Sequence, residues 1–176
     1  MTSTIKTREI HYNAADGTNL VGYFAAPESD APVAGVIVAP EWWGRTEYTE
    51  QRARELAEHG YAALAIDMYG DKKVTTDAGQ ANEWMTQTFQ DSDTIVTRAS
   101  AGLKALAEQN EVNPDKLAAI GFCYGGKVVL DWHAQVHHLK PLLLFTVISL
   151  QKSRHSLEKF RLKFWYCTVN STAWSL

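Results

Sequence analysis

Hydrophobic and polar positions along the chain follow two different periods, and these periods predict its secondary structure. Alternation with period two around the turn Asp16-Gly17 predicts a β-hairpin formed by residues 6–12 and 20–25. Short apolar runs predict strands buried on both faces at 33–39, 61–66 and 117–120. Helical spacing predicts helices at 47–59, 81–89 and 92–109, with another that begins at Gly125.

Strands that alternate with helices in this way predict an α/β fold. We expect a doubly wound, mostly parallel sheet with helices on both faces. A chain of 176 residues is long enough for one domain with a hydrophobic core, and not comfortably for two.

Composition and charge exclude several classes of protein. The chain is 45% hydrophobic and 21% charged with a net charge of −3, which gives no sign of a nucleic-acid or membrane partner. The apolar run at 142–150 is shorter than the roughly 20 residues of a membrane span, and residues 1–10 lack the apolar core of a signal peptide. Two cysteines, Cys123 and Cys167, make no disulfide framework. These features predict a cytoplasmic protein with free thiols.

The chain changes character after residue 131. Residues 1–131 carry 11 basic and 19 acidic side chains, a net of −8, whereas residues 132–176 carry 6 and 1, a net of +5. All eleven glycines lie at or before Gly126, although strand-to-helix turns usually need glycine. We therefore divide the chain into an N-terminal α/β portion, 1–131, and an atypical tail, 132–176. A basic arm for an acidic partner is one explanation of the tail.

The sequence Gly121-Phe122-Cys123-Tyr124-Gly125-Gly126 lies between a predicted strand and a predicted helix. This context and spacing predict a nucleophile elbow, in which Cys123 sits on a strained turn and the glycines prevent backbone clashes. The helix N-terminus would face the thiol and favour its thiolate. The alternatives are a buried structural thiol in a plain turn, and a Rossmann phosphate loop, whose second glycine is replaced by Cys123.

The loop Pro40-Glu41-Trp42-Trp43-Gly44 follows another buried strand and so lies at the sheet edge where ligands bind. The N–H groups of Trp42 and Tyr124 are the predicted oxyanion-hole donors. Glu41 could contact the thiol and hold its proton; alternatively it is a surface glutamate beside two packing tryptophans. Asp67, at the next strand end, is predicted to cap a turn.

Three segments together resemble the dienelactone hydrolase family of the α/β-hydrolase superfamily: residues 38–44, residues 65–70 and the elbow at 121–126. The resemblance covers about residues 5–131. It implies hydrolysis of a small-molecule lactone or carboxylic ester by a Cys–His–Asp triad, without a cofactor or metal. It assigns Cys123 as the nucleophile, Glu41 as the carboxylate that holds the resting thiol, and Trp42 and Tyr124 as the oxyanion hole. Trp84 and Arg98 are the nearest candidates for contacts to a substrate carboxylate.

The triad acid and histidine of this fold should follow the nucleophile, the acid at the end of a later strand. After Cys123 the only acidic residues are Asp131, on the predicted elbow helix, and Glu158. The histidines that follow Cys123 match no family position and have only weakly metal-like spacing: His133, His137, His138 and His155. We therefore expect a C-terminally incomplete fold without a triad Asp or His, so a non-catalytic chain on a hydrolase scaffold is the alternative function.

A shift of the reading frame would explain the composition of the tail. If the last base of each codon is read with the first two of the next, Asp131-Trp132-His133 gives Leu-Ala and residues 164–167 give Leu-Val-Leu, whichever codons are used. The residues after each site permit a continuation of the elbow helix and a strand that ends in His-Gly-x-x-Asp, where the family keeps its triad aspartate. We therefore hypothesise that residues 132–176 are the same gene read out of frame. An uninterrupted family reading frame in the DNA across codon 131 would confirm this, and its absence would refute it.

Overall fold

The fold begins with the predicted hairpin. The computed structural model describes residues 4–135 and 143–147 of the chain. Strands β1 (Ile5–Asn13) and β2 (Asn19–Pro27) pair antiparallel. The turn between them has Gly17 at a φ of +84°, and the Asp16 carboxylate accepts a hydrogen bond from the N–H of Thr18 at 2.9 Å. The hairpin prediction is confirmed.

The remaining described strands extend this hairpin into one six-stranded sheet. They are β3 (Val33–Ala39), β4 (Ala62–Ala65), β5 (Val112–Phe122) and β6 (Leu143–Val147). The order across the sheet is β1-β2-β4-β3-β5-β6, and β4, β3, β5 and β6 run parallel to one another. Since β3 and β5 are neighbours, with Ala39 opposite Gly121, their carboxyl ends meet at the same edge. That edge holds both segments that the sequence analysis singled out.

Helices cover both faces of the sheet. They are α1 (Glu47–Glu58), α2 (Ala78–Gln90), α3 (Ser92–Ala107) and α4 (Tyr124–Gln135). Helix α1 packs Ala53 and Ala57 against small strand residues on one face. On the other face, α3 and α4 pack Leu106, Val128 and other apolar residues into a larger core. This arrangement confirms the doubly wound α/β fold. Within the described part, no helix is long and apolar enough to span a membrane.

Two elements begin earlier than the sequence analysis predicted. Helix α2 starts at Ala78 because Asp77 caps it, accepting a hydrogen bond from the N–H of Gln80 at 2.7 Å. Strand β5 starts at Val112, five residues before the predicted start at residue 117. The register with β3 shifts there, since Ala34 faces Asn113 but Gly35 faces Leu117. Pro114 has no N–H to donate, which suits an irregular position in a strand.

The composition boundary at residue 131 does not coincide with the end of an element. Helix α4 continues to Gln135, and Trp132 is only 1% exposed, with its indole N–H donating to the Ser100 hydroxyl at 2.9 Å. No strand was predicted in residues 132–176, yet β6 lies there and pairs parallel with β5. Its sequence, Leu-Leu-Phe-Thr-Val, has the apolar, β-branched character of a buried strand.

Candidate active site

The predicted elbow has the geometry that its sequence pattern requires. Cys123 is the single residue between β5 and α4, and its φ of +53° lies in the left-handed region that non-glycine residues rarely adopt. A Cβ on Gly121 would overlap the carbonyl oxygen of Gly125, and a Cβ on Gly125 would overlap that of Ala39. Both positions therefore require glycine. The close approach also places the start of α4 directly against the end of β3.

The Cys123 side chain is exposed at the start of this helix. The backbone carbonyl oxygen of Cys123 accepts a hydrogen bond from the N–H of Gly126 at 3.1 Å, and this bond closes the first turn of α4. Gly126 itself is buried in the first turn of α4. The positive end of the helix dipole thus lies beside the thiol, where it stabilises negative charge. The alternative of a buried structural thiol does not fit this exposure.

The two predicted oxyanion donors lie at the ends of neighbouring strands. Tyr124 is the first residue of α4, where a backbone N–H has no intrahelical acceptor. Trp42 lies in the turn after β3, and within residues 4–135 no backbone or side-chain acceptor is found for its N–H. Both N–H groups are therefore available at this edge of the sheet. Their joint role as an oxyanion hole stays a prediction.

Glu41 is a half-buried carboxylate in the same turn. No hydrogen bond joins it to another described side chain, and none joins it to the thiol of Cys123. Burial raises the pKa of the Glu41 carboxyl above its ordinary value. The carboxyl is therefore a weaker acid than an exposed glutamate, and its predicted contact with the thiol stays a prediction.

Asp67 has the structural role that the sequence analysis predicted. Its side chain is fully buried and accepts hydrogen bonds from backbone N–H groups at 2.7–3.3 Å. Three of these donors lie in the turn after β4 and one lies in β2: Tyr69, Gly70, Lys72 and Val21. Asp67 therefore closes its own turn and ties it to the hairpin.

Tyr69 is the site residue that the sequence analysis missed. Its hydroxyl donates to the carbonyl oxygen of Trp42 at 3.0 Å, and its ring stacks on that of Tyr124 with centroids 5.8 Å apart. Burial, followed by the nearness of Tyr124 and Cys123, raises the pKa of the Tyr69 hydroxyl, so the hydroxyl keeps its proton. The available signal was its place two residues after Asp67, at the end of a strand beside β3.

A cavity of about 320 Å³ lies beside Tyr69. Trp84 and Arg98, the candidates for contacts to a substrate carboxylate, both line it, as does Lys73. Arg98 is already engaged, since its guanidinium donates to Asp16 at 3.0 Å and to the carbonyl of Met68 at 2.7 Å. Arg98 therefore joins the hairpin turn at Asp16 to the turn after β4 at Met68.

Among the described residues, no acidic side chain or histidine is hydrogen-bonded to Cys123. Asp131 pairs with Lys127 on α4 at 2.7 Å, and no hydrogen bond joins a described histidine to Cys123. His11 is exposed on β1, and His59 ends α1. No group of metal-ligating side chains is found in the described part of the chain. Several residues considered in the sequence analysis lie outside that part: His137, His138, His155, Glu158 and Cys167.

Comparison with known families gives one match over most of the chain. Residues 20–159 match the dienelactone hydrolase family. This match begins later, and ends later, than the stretch 5–131 that carried the resemblance in the sequence. It therefore continues past the composition boundary, and the out-of-frame origin of the tail stays a hypothesis.

Curated relatives and solved structures agree with this match. The chain is 29% identical over 130 residues to a putative carboxymethylenebutenolidase of Escherichia coli K12, covering 72% of this chain and 47% of that protein. It is 33% identical over 116 residues to the protein usf of Aquifex pyrophilus, covering 63% and 48%. The chain thus spans about half the length of these curated relatives.

Two solved structures share its fold. The structure of m3DLH has a TM-score of 0.74 at 38% identity, covering 80% of this chain and 59% of that one. A dienelactone hydrolase-like promiscuous phosphotriesterase from metagenomic libraries has a TM-score of 0.74 at 34% identity, covering 85% and 62%.

Proposed function

Because the chain belongs to the dienelactone hydrolase family, we propose that it carries the acyl-transfer half of a lactone or carboxylic-ester hydrolase. The observation that supports this most strongly is Cys123 at a φ of +53°, exposed between β5 and the N-terminus of α4. A nucleophile held on a strained turn at a helix N-terminus is the arrangement that α/β-hydrolases use for acyl transfer. A free thiol as nucleophile also suits the reducing cytoplasm.

The proposed reaction begins at the thiolate of Cys123. Its sulfur attacks the carbonyl carbon of the ester, and the negative charge moves to the carbonyl oxygen. The N–H groups of Trp42 and Tyr124 stabilise that oxygen. As the carbonyl re-forms, the C–O bond breaks and the alkoxide leaves, taking a proton from solvent. The product is a thioester on Cys123.

Completion of the cycle requires water to attack the thioester with help from a base. Hydrolases of this fold use a histidine held by an acid that follows the nucleophile in the chain. Among the described residues no histidine is hydrogen-bonded to Cys123, and we expect neither triad position in the sequence beyond them. We therefore propose that the chain acylates but turns over negligibly, which reconciles a hydrolase lineage with the alternative of a non-catalytic chain.

The two halves of this proposal are tested together with an activated ester such as p-nitrophenyl acetate. We expect a burst of p-nitrophenolate close to one equivalent per chain, with an acetyl group on the peptide that contains Cys123, followed by almost no further release. The Cys123→Ala variant should give no burst. Absence of a burst from the wild type would refute acyl transfer, whereas sustained release would refute the missing base.

A further inference from the structure

The turn at residues 41–44 is fixed through its carbonyl groups. The carbonyl oxygen of Glu41 accepts the N–H of Gly44 at 3.2 Å, and that of Trp43 accepts the N–H of Thr75 at 3.1 Å. The carbonyl between them, that of Trp42, accepts from a side chain instead, the hydroxyl of Tyr69. The peptide that carries the N–H of Trp42 is thus held on one side through the Glu41 carbonyl, whereas the peptide that follows Trp42 is held by one side-chain hydrogen bond, that of Tyr69.

Tyr69 is itself held in place from several directions. Its backbone N–H donates to the Asp67 carboxylate at 2.9 Å, and its ring contacts the ring of Trp84 with centroids 5.4 Å apart. Its stacking on Tyr124 leaves an angle of 26° between the two ring planes. With only 7% of its surface exposed, Tyr69 has little freedom to move its hydroxyl away from Trp42.

Tyr69 thus contacts both segments that carry the candidate oxyanion donors, Trp42 through its hydroxyl and Tyr124 through its ring. We propose that Tyr69 is a positioning residue for acyl transfer, which holds the N–H of Trp42 where the ester oxygen becomes negatively charged. This inference rests on the proposed function, because it needs Trp42 to act as an oxyanion donor. The hydroxyl of Tyr69 donates to the carbonyl oxygen of Trp42 and forms no hydrogen bond with the thiol of Cys123.

The physical basis is preorganisation. Loss of a whole oxyanion donor reduces acyl-transfer rates by about 10²–10³-fold. Loss of the hydroxyl of Tyr69 leaves the donor present but frees the peptide that follows it to rotate. We therefore expect a smaller loss, about tenfold, since small misplacements of reacting groups have large effects on rate.

The test compares two reactions of the same thiol in the wild type and in Tyr69→Phe. Acylation by p-nitrophenyl acetate uses an oxyanion hole, whereas alkylation by iodoacetamide forms no oxyanion. We expect the variant to acylate about tenfold more slowly and to alkylate within twofold of the wild-type rate. Equal acylation rates, or an equal slowing of both reactions, would refute the positioning role.

A matched control is Tyr23→Phe, which removes the hydroxyl of a partly buried tyrosine outside the candidate site. Tyr23 packs on the core between the sheet and α1, and its hydroxyl accepts a hydrogen bond from Arg54 at 3.3 Å. This substitution should change neither rate. Amide hydrogen exchange gives a second measurement, independent of chemistry: we expect faster exchange in Tyr69→Phe at Gly44 and Thr75, whose N–H groups donate to carbonyl groups of this turn, and unchanged exchange would also refute the proposal. A wild-type protein that alkylates but never acylates would refute the proposed function itself, and with it this inference, so the two failures are distinguishable.

Discussion

Two carboxylates lie at the ends of neighbouring parallel strands and behave differently. Asp67 follows β4, is fully buried, and accepts four backbone N–H groups. Glu41 follows β3, is half-buried, and has no hydrogen-bond partner among the described side chains. The oxygens of the Asp67 carboxylate are occupied by backbone N–H groups, so this side chain serves the fold. The Glu41 carboxylate is partly desolvated and has no such partner among the described side chains, so it is available to a substrate or a nucleophile. The difference separates a structural acid from a candidate functional one.

The comparison predicts its largest effect at Asp67. In Asp67→Asn, an amide of the same size replaces an acceptor-only group and leaves some of the four N–H donors without a partner. Hydrogen bonds to charged groups contribute about 1.5–3 kcal/mol each, so we expect a loss of about 3 kcal/mol or more in the free energy of unfolding. Urea denaturation followed by circular dichroism measures this. A loss below about 1 kcal/mol would remove the structural half of the comparison.

The second prediction concerns the close contact between α4 and the end of β3, just before the turn that contains Glu41. The backbone of Gly125 lies against the carbonyl oxygens of Ala39 and Pro40, immediately before Glu41. A methyl group there would force α4 away from the end of β3, because backbone atoms cannot give way as side chains can. We expect Gly125→Ala to lower the free energy of unfolding by about 2 kcal/mol.

Denaturation of Gly125→Ala beside Gly79→Ala provides the control. Gly79 lies in α2, where an added Cβ meets only the end of the Asp77 side chain at 3.1 Å. Alanine also favours a helix more than glycine does, so Gly79→Ala should be neutral or slightly stabilising. Equal effects of the two substitutions would show that the close approach of α4 to β3 contributes little.

The sequence predicted the residues of the candidate site better than the contacts that hold those residues in place. Periodicity placed β3, β4 and β5, and the spacing of glycines around Cys123 predicted the strained turn, because each rests on local sterics. The capping role of Asp67 was also predicted from its position alone. The hydrogen bond from Tyr69 to Trp42 was not, since it joins residues 27 apart in sequence and depends on the order of strands in the sheet.

In residues 132–176, composition was a poor guide to secondary structure. A shift in charge and glycine content led us to divide the chain at residue 131, but Trp132 packs in the core and β6 pairs beside β5. An apolar, β-branched segment next to an open sheet edge can add a strand whatever the composition around it. Composition therefore predicted a change of character, whereas the structure follows the local apolar pattern at residues 143–147, from which we predicted no strand.

The smallest predicted effect is at Glu41, and it depends on pH. Burial raises the pKa of its carboxyl above the ordinary value near 4.5, so folding favours the protonated form. As pH rises from that value, the unfolded chain loses this proton first, and the wild type loses stability relative to Glu41→Gln until the folded carboxyl also ionises. We expect the variant to be more stable at pH 7 by no more than about 0.5 kcal/mol, and equal to the wild type below pH 4. Paired urea titrations at pH 4 and pH 7 measure the difference. A variant less stable than the wild type at pH 7 would mean that Glu41 stabilises the fold as Asp67 does, and the distinction between the two carboxylates would fail.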